Sequence, residues 1–144
     1  MEIETTRFGR IQVDGKKQIE MPSGMLGFPD SRRFVMIRHR EDSPFFWYQS
    51  VDDPNLAFVL ASPFAFKPDY VLDTHKIPEA FSWDAGDENH LECYVVISIP
   101  KGSPDKMTAN LIGPIVINPL RRQAYQMVLS NSPYSHQTPL LEEK

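Results

Sequence analysis

Thirteen prolines are spread through the 144 residues of this chain. Each one holds φ near about −65° and removes a backbone donor, so it breaks a helix interior and is tolerated in a sheet only at edges, strand starts or bulges. Prolines at this density leave little room for long helices. The runs between them are rich in aromatic and β-branched residues, most clearly over 34–37, 45–51, 56–61 and 91–99. Such residues fit a pleated, half-buried surface. About eight short strands, with turn signals roughly every 8–12 residues, point to an all-β, mostly antiparallel fold, a sandwich or a small barrel.

Local signals refine this. Asp14-Gly15 between two apolar runs predicts a two-residue hairpin turn joining 11–13 to 16–21. Residues 24–29 read as a tight glycine-bracketed turn whose Phe28 plugs the core. Residues 30–33 are expected to cap one turn of helix. Residues 39–44 and 52–55 read as turns, with Asp52 and Asp53 shaping the second. Residues 69–73 read as a short strand, 78–83 as one helical turn and 84–89 as a polar loop. Residues 121–130 fit a strand or a short helix, and the β surroundings favour a strand. The unbroken apolar run 94–97 implies burial on both faces. The reading is one domain over 1–135 with one or two short helical turns, followed by a polar tail, 136–144, expected to fray.

Residues 107–119 read as a strand with two breakers in its middle, Gly113 and Pro114. Two accounts fit. One is a bulged core strand. The other is an interrupted edge, apolar on both faces, that docks another chain.

Composition narrows the function classes. Fifteen Lys and Arg against nineteen Asp and Glu give a net charge of −4. That balance disfavours nucleic acid as the main ligand, because such affinity rests on cationic neutralisation. The aromatic run 45–48 lacks the interleaved cations that base stacking wants. No phosphate loop, nucleophile elbow or dinucleotide fingerprint is present. His39, His75, His90 and His136 lie far apart in expected loops, so no metal or cofactor is expected; an exposed strand start explains the nearest pair, His90 with Glu92. Asp52-Asp53 and the tail's Glu142-Glu143 read as solvated carboxylates. Cys93 is the one cysteine. Its apolar setting marks a small buried hydrophobe, and with the absence of an apolar stretch after Met1 it suggests a cytoplasmic protein. No apolar run approaches the roughly 20 residues that span a bilayer.

Three runs in order, GMLGF over 24–28, FWYQSVDDPNLAF over 46–58 and TANLIGPIVIN over 108–118, resemble the flagellar assembly factor FliW family. The family usually carries a leucine where Tyr48 stands, and nothing beyond Pro139 contributes. The resemblance implies a small, mostly antiparallel, barrel-like protein of the bacterial cytoplasm that is not an enzyme. It implies two partners: the RNA-binding translational repressor CsrA, which such proteins antagonise, and flagellin, which occupies them until it is exported. The chain alone is expected to be monomeric. Two candidate surfaces follow. Asp84, Asp87, Glu88 and Glu92 are expected to supply a negative field that repels RNA from CsrA. Asn110, Leu111, Ile112, Pro114, Ile115 and Asn118 are expected to form or support an exposed strand-like edge for a partner. Two readings from other classes are a small-ligand-binding barrel and a hydrolase using Asp52 or Asp53.

Overall fold

The computed structural model describes residues 1–38, 40–129 and 133–140. Strands β1 (Glu2–Thr5) and β2 (Gly9–Gln12) pair as a separate antiparallel hairpin. Strands β3 (Ile19–Glu20), β4 (Arg33–Arg38), β5 (Phe45–Ser50), β6 (Ala57–Ala61) and β7 (Glu92–Ser98) then pair antiparallel, each with the next. Strand β8 (Thr108–Ala109) lies on β7, followed by the hairpin of β9 (Ile115–Asn118) and β10 (Gln123–Gln126). Strand β10 runs parallel to β3, and β9 pairs with the far end of β7. Those two contacts close β3, β4, β5, β6, β7, β9 and β10 into a seven-stranded barrel. Strand β11 (Thr138–Pro139) extends the sheet beyond β8, and one short helix, α1 (Ile77–Ala80), precedes β7.

Period-two alternation sorts the side chains. Phe34, Tyr48 and Leu60 turn inward with Met21, Met25, Ile115, Ile117 and Ala124, and Met36, Phe46, Phe58, Tyr94 and Val96 pack against them. Phe34 stacks on Tyr48 with ring centroids 4.3 Å apart. The alternate residues of β7, Val95 and Ile97, face an outer cluster with Ala61, Tyr70, Ala109 and Leu111. The unbroken apolar run of β7 therefore serves two cores. A third cluster joins Ile77 and Trp83 to Val116, with Phe81 stacked on Tyr125. Buried Gln49 donates to the carbonyls of Ser50 and Leu56, and Ser50 Oγ accepts from the amides of Asp52 and Asp53. The turn expected over 52–55 is built on that pair.

Several local expectations are corrected. Asp14-Gly15 does not turn a hairpin: the Asp14 carboxylate accepts from Lys16 N–H at 2.9 Å and starts a 3-10 turn, Gly15–Lys17. The hairpin lies earlier, at residues 6–8 between β1 and β2, and β3 joins the barrel instead. Met25, not Phe28, plugs the core; Phe28 remains 44% exposed and meets Phe58 edge-on. Residues 30–33 form no helical turn, because Arg33 already belongs to β4. Residues 69–73 form no strand; Tyr70 is held instead by its hydroxyl, which donates to Leu111 O at 2.7 Å. Residues 84–89 are a 3-10 helix, Ala85–His90, rather than an irregular loop. Residues 136–140, expected to fray, are held by the β11–β8 pairing, by Leu140 N–H donating to Met107 O, and by Leu140 packing on the outer cluster. Residues 123–126 form the expected strand. His39, Ser130 and the Glu142-Glu143 pair lie outside the described residues.

Two substitutions test this packing. Gly24 has φ +68°, and a Cβ there would lie 2.5 Å from Pro29 O, whereas Gly27 has φ +85° with open space around it. Gly24→Ala should cost about 2–3 kcal/mol and Gly27→Ala about 1 kcal/mol in urea unfolding; equal losses would contradict the close approach. The buried Tyr48 hydroxyl has no hydrogen-bond partner among the described residues, and burial pushes its pKa upward. Tyr48→Phe removes a desolvated oxygen and should raise stability by about 1 kcal/mol; a clear loss would show that the hydroxyl is satisfied.

Candidate partner-binding surfaces

The 107–119 segment is a bulged core strand, and the expectation of an exposed edge is overturned. Strand β9 lies between β7 and β10, and all four of its residues are buried. Leu111, Pro114, Ile115 and Asn118 are buried, and Asn110 and Ile112 are half-buried. Ala109 pairs with Ile97 and Ile115 with Tyr94, so residues 110–114 cover the stretch that Val95 and Val96 span on β7. The extra length is absorbed by hydrogen bonds. Asn110 N–H donates to Val96 O, Leu111 N–H to Ser135 O, Leu129 N–H to Ile112 O and Met127 N–H to Pro114 O. Gly113 N–H donates to Asn110 Oδ1 at 3.0 Å, and Gln126 Nε2 donates to Gly113 O at 3.0 Å. A Cβ on Gly113 would lie 2.8 Å from Asn110 Nδ2 and would push on the side chain that accepts from Gly113 N–H. These residues build the barrel wall rather than present a strand.

The same Gln126 reaches a surface that sequence reasoning missed. Its Oε1 accepts from Leu26 N–H at 2.9 Å. Leu26 sits at the tip of the turn in which Met25 and Phe28 exchange both backbone hydrogen bonds. Buried Met25 anchors the turn, while Leu26 is 55% and Phe28 44% exposed. Val128, two residues beyond Gln126, is also exposed. Large apolar side chains held in water by a hydrogen-bonded turn suit a protein contact. The signal in the sequence was the pair Gly24 and Gly27, which alone does not say which apolar residue turns inward.

The acidic residues gather at the opposite end of the β9–β10 hairpin. Asp87 is buried, accepting from Asn118 Nδ2 at 2.9 Å and from Arg121 Nε at 2.7 Å. Arg121 Nη2 also pairs with exposed Asp84. The Arg121 guanidinium, then the Asn118 amide, hold the Asp87 carboxyl below its ordinary pKa in spite of desolvation. Glu88 is half-buried and takes Thr74 Oγ1 at 3.0 Å, with His75 Nδ1 at 3.5 Å. Glu92 is exposed and accepts from Tyr94 OH, whose pKa is pushed up to about 12 by burial and then by Glu92. The structure thus joins Asp84 and Asp87 on one arginine and leaves Glu88 and Glu92 on separate partners. Arg121 offsets part of the field expected from the four carboxylates.

The other classes gain little. Side chains of Met21, Phe34, Tyr48, Leu60 and Ile115 fill the barrel where a ligand chamber would lie. Burial works against ionisation of Asp52, yet hydrogen bonds from Arg33 and the Arg32 and Arg33 amides hold its pKa below the ordinary value. Asp53 Oδ1 accepts from Asn55 N–H. Both carboxylates are engaged in the turn. Burial pushes the Cys93 thiol up to about 12, which fits a packing residue. Among the described residues no group of three metal-ligating side chains gathers, and no helix is long and apolar enough to cross a membrane.

A carboxylate whose pKa is lowered by folding adds stability above its unfolded value, about 3.9, and loses it as pH falls through the folded value. Arg121→Ala and Asp87→Asn should therefore destabilise the protein at pH 7, with the deficit shrinking toward pH 2–3. Urea unfolding of each variant at both pH values checks this; an equal deficit would show that the ion pair is not its source.

The chain matches the FliW protein family over residues 2–140. It is 38% identical over 143 residues to the flagellar assembly factor FliW of Magnetococcus marinus, covering 99% of this chain and 86% of that one. It is 39% identical over 145 residues to that of Thermoanaerobacter pseudethanolicus, covering 99% and 95%. A crystal structure of the flagellar assembly factor FliW superposes with a TM-score of 0.87 at 33% identity, covering 100% of this chain and 99% of the other. With family, length and barrel in agreement, this chain belongs to the FliW family of flagellar assembly factors.

Proposed function

We propose that this protein is a non-enzymatic, cytoplasmic, monomeric regulator of flagellum assembly that switches between two protein partners, CsrA and flagellin. While flagellin is absent it binds CsrA and antagonises translational repression; when flagellin accumulates it is occupied, and CsrA is free to act. The observation that carries this reading is that one hairpin, β9–β10, supports two chemically different surfaces at opposite ends. Leu26 and Phe28 offer an apolar contact on a braced turn. A polymer subunit awaiting export exposes surface that the polymer later buries, and such a surface is apolar enough to dock there. Asp84, Glu88 and Glu92 offer negative charge. Proteins that grip RNA are basic where they hold it, so an acidic body docked nearby repels the phosphates.

Light scattering of the purified protein, alone, with CsrA, and then with flagellin added, tests the switch. A CsrA complex of defined mass that flagellin dissolves is the expected result; no complex with either partner overturns it. Leu26→Asp with Phe28→Asp should weaken flagellin binding by about 30-fold or more, as loss of an apolar anchor does, and leave CsrA bound. Glu88→Lys with Glu92→Lys should keep CsrA docked but lose inhibition of RNA binding at low salt. Asp87 is left out of that variant because it holds the fold. Unchanged inhibition at low salt would remove the electrostatic account.

A further inference from the structure

The tip of the apolar turn over 24–28 is tied to the barrel wall by one side chain. Met25 N–H donates to Phe28 O at 3.2 Å and Phe28 N–H to Met25 O at 2.8 Å, which closes the turn upon itself. Gly24 N–H donates to Met21 O, and Ser31 N–H to Phe28 O, so the two ends are held as well. None of these bonds reaches the tip. Among the described residues, the one hydrogen bond made by Leu26 and Gly27 is that from Leu26 N–H to Gln126 Oε1, at 2.9 Å. Phe28 rests edge-on against Phe58, with ring centroids 5.5 Å apart, so of the two exposed apolar residues Leu26 is the one that depends on Gln126.

Gln126 is itself fixed from the other side. Its backbone pairs with Ile115 in the β9–β10 hairpin. Its Nε2 donates to Gly113 O at 3.0 Å while its Oε1 takes Leu26 N–H. The two bonds have opposite sense, and a primary amide supplies both. A carboxylate at this position would only accept, and an ammonium would only donate. A Cβ on Gly113 would lie 3.2 Å from Gln126 Nε2, so the amide packs closely on the wall. The wall fixes the amide, and the amide fixes the tip of the turn.

We propose that Gln126 is a positioning residue for partner binding, which holds Leu26 in the conformation that docks flagellin. The proposal rests on the reading that Leu26 and Phe28 form the flagellin contact. Gly24 and Gly27 both sit at positive φ and bring no side chain to restrain the tip. An exposed leucine on such a tip samples several orientations, and freezing it when the partner arrives costs affinity. A brace made before the encounter removes that cost. Gln126 acts through the turn and not by touching the partner.

Two variants separate the brace from the wall. Gln126→Met keeps the length of the side chain and loses both bonds. Gln126→Lys can still donate to Gly113 O but cannot accept from Leu26 N–H. Amide hydrogen exchange of the free protein, read by NMR, is the first measurement. Both variants should speed exchange at Leu26 by about tenfold, the worth of one hydrogen bond. Met127 and Leu129, whose amides bond the wall, should keep their protection. Titration with flagellin is the second measurement. Gln126→Met should weaken flagellin binding by about 5–10-fold and leave CsrA binding unchanged. In a Leu26→Ala, Phe28→Ala background the same substitution should change flagellin affinity by less than about twofold, because the brace then has nothing to hold. Unchanged exchange at Leu26 in both variants overturns the proposal. So does flagellin affinity kept within about twofold in Gln126→Met, or a loss that persists in full in the alanine background. Those results leave the docking turn standing, whereas failure of the unsubstituted protein to bind flagellin removes the partner reading and this proposal with it.

Discussion

The barrel depends on one seam, the pairing of β9 with β7. The strand that must reach it approaches along β8, five residues where β7 has two. A bulge of that size in a core wall strands several backbone groups away from water, and each would be costly if unpaired. Here they are met by Val96, Ser135, Met127, Leu129, the Asn110 side chain, the Gln126 side chain and the Tyr70 hydroxyl. Proline is tolerated at 114 because the position is used only through its carbonyl, which accepts from Met127 N–H. The Gly-Pro interruption is the device that lets the sheet close.

The bulge also organises the surface. Gln126 bonds Gly113 with its amide nitrogen and Leu26 with its amide oxygen, so the wall and the apolar turn share one side chain. At the other end of the hairpin, Asn118 and Arg121 hold Asp87 and draw Asp84 in. A rigid hairpin therefore separates an apolar contact from an acidic one.

Much of the barrel was legible because strand residues announce themselves by composition and alternation. The expected runs at 34–37, 45–51, 56–61 and 91–99 became β4, β5, β6 and β7 with shifts of a residue or two. The turn at 52–55 was legible because Asp, Pro and Asn act locally. Asp14-Gly15 misled because the same residues that favour a hairpin turn also start a 3-10 turn, and the choice rests on where the next strand finds a partner. Phe28 misled because either apolar residue of the turn fits the inward position, and only the folded chain shows that Met25 takes it while Phe28 stays out. Leu111, Ile115 and Asn118 were assigned to an edge because an apolar run with a proline suits an edge and a bulged wall alike.

Family, class and the absence of long helices were determined by the sequence itself, through proline spacing, strand composition and three ordered motifs. Tertiary structure alone decided which strands close the barrel, which carboxylates are neutralised and which apolar groups stay in water. The physical reason is range. Proline, glycine and β-branched residues act on their own φ and ψ, so their effect is written in the sequence. Arg121 meets Asp87 across thirty-four positions and Gln126 meets Leu26 across a hundred, and such pairs exist only once the sheet has closed.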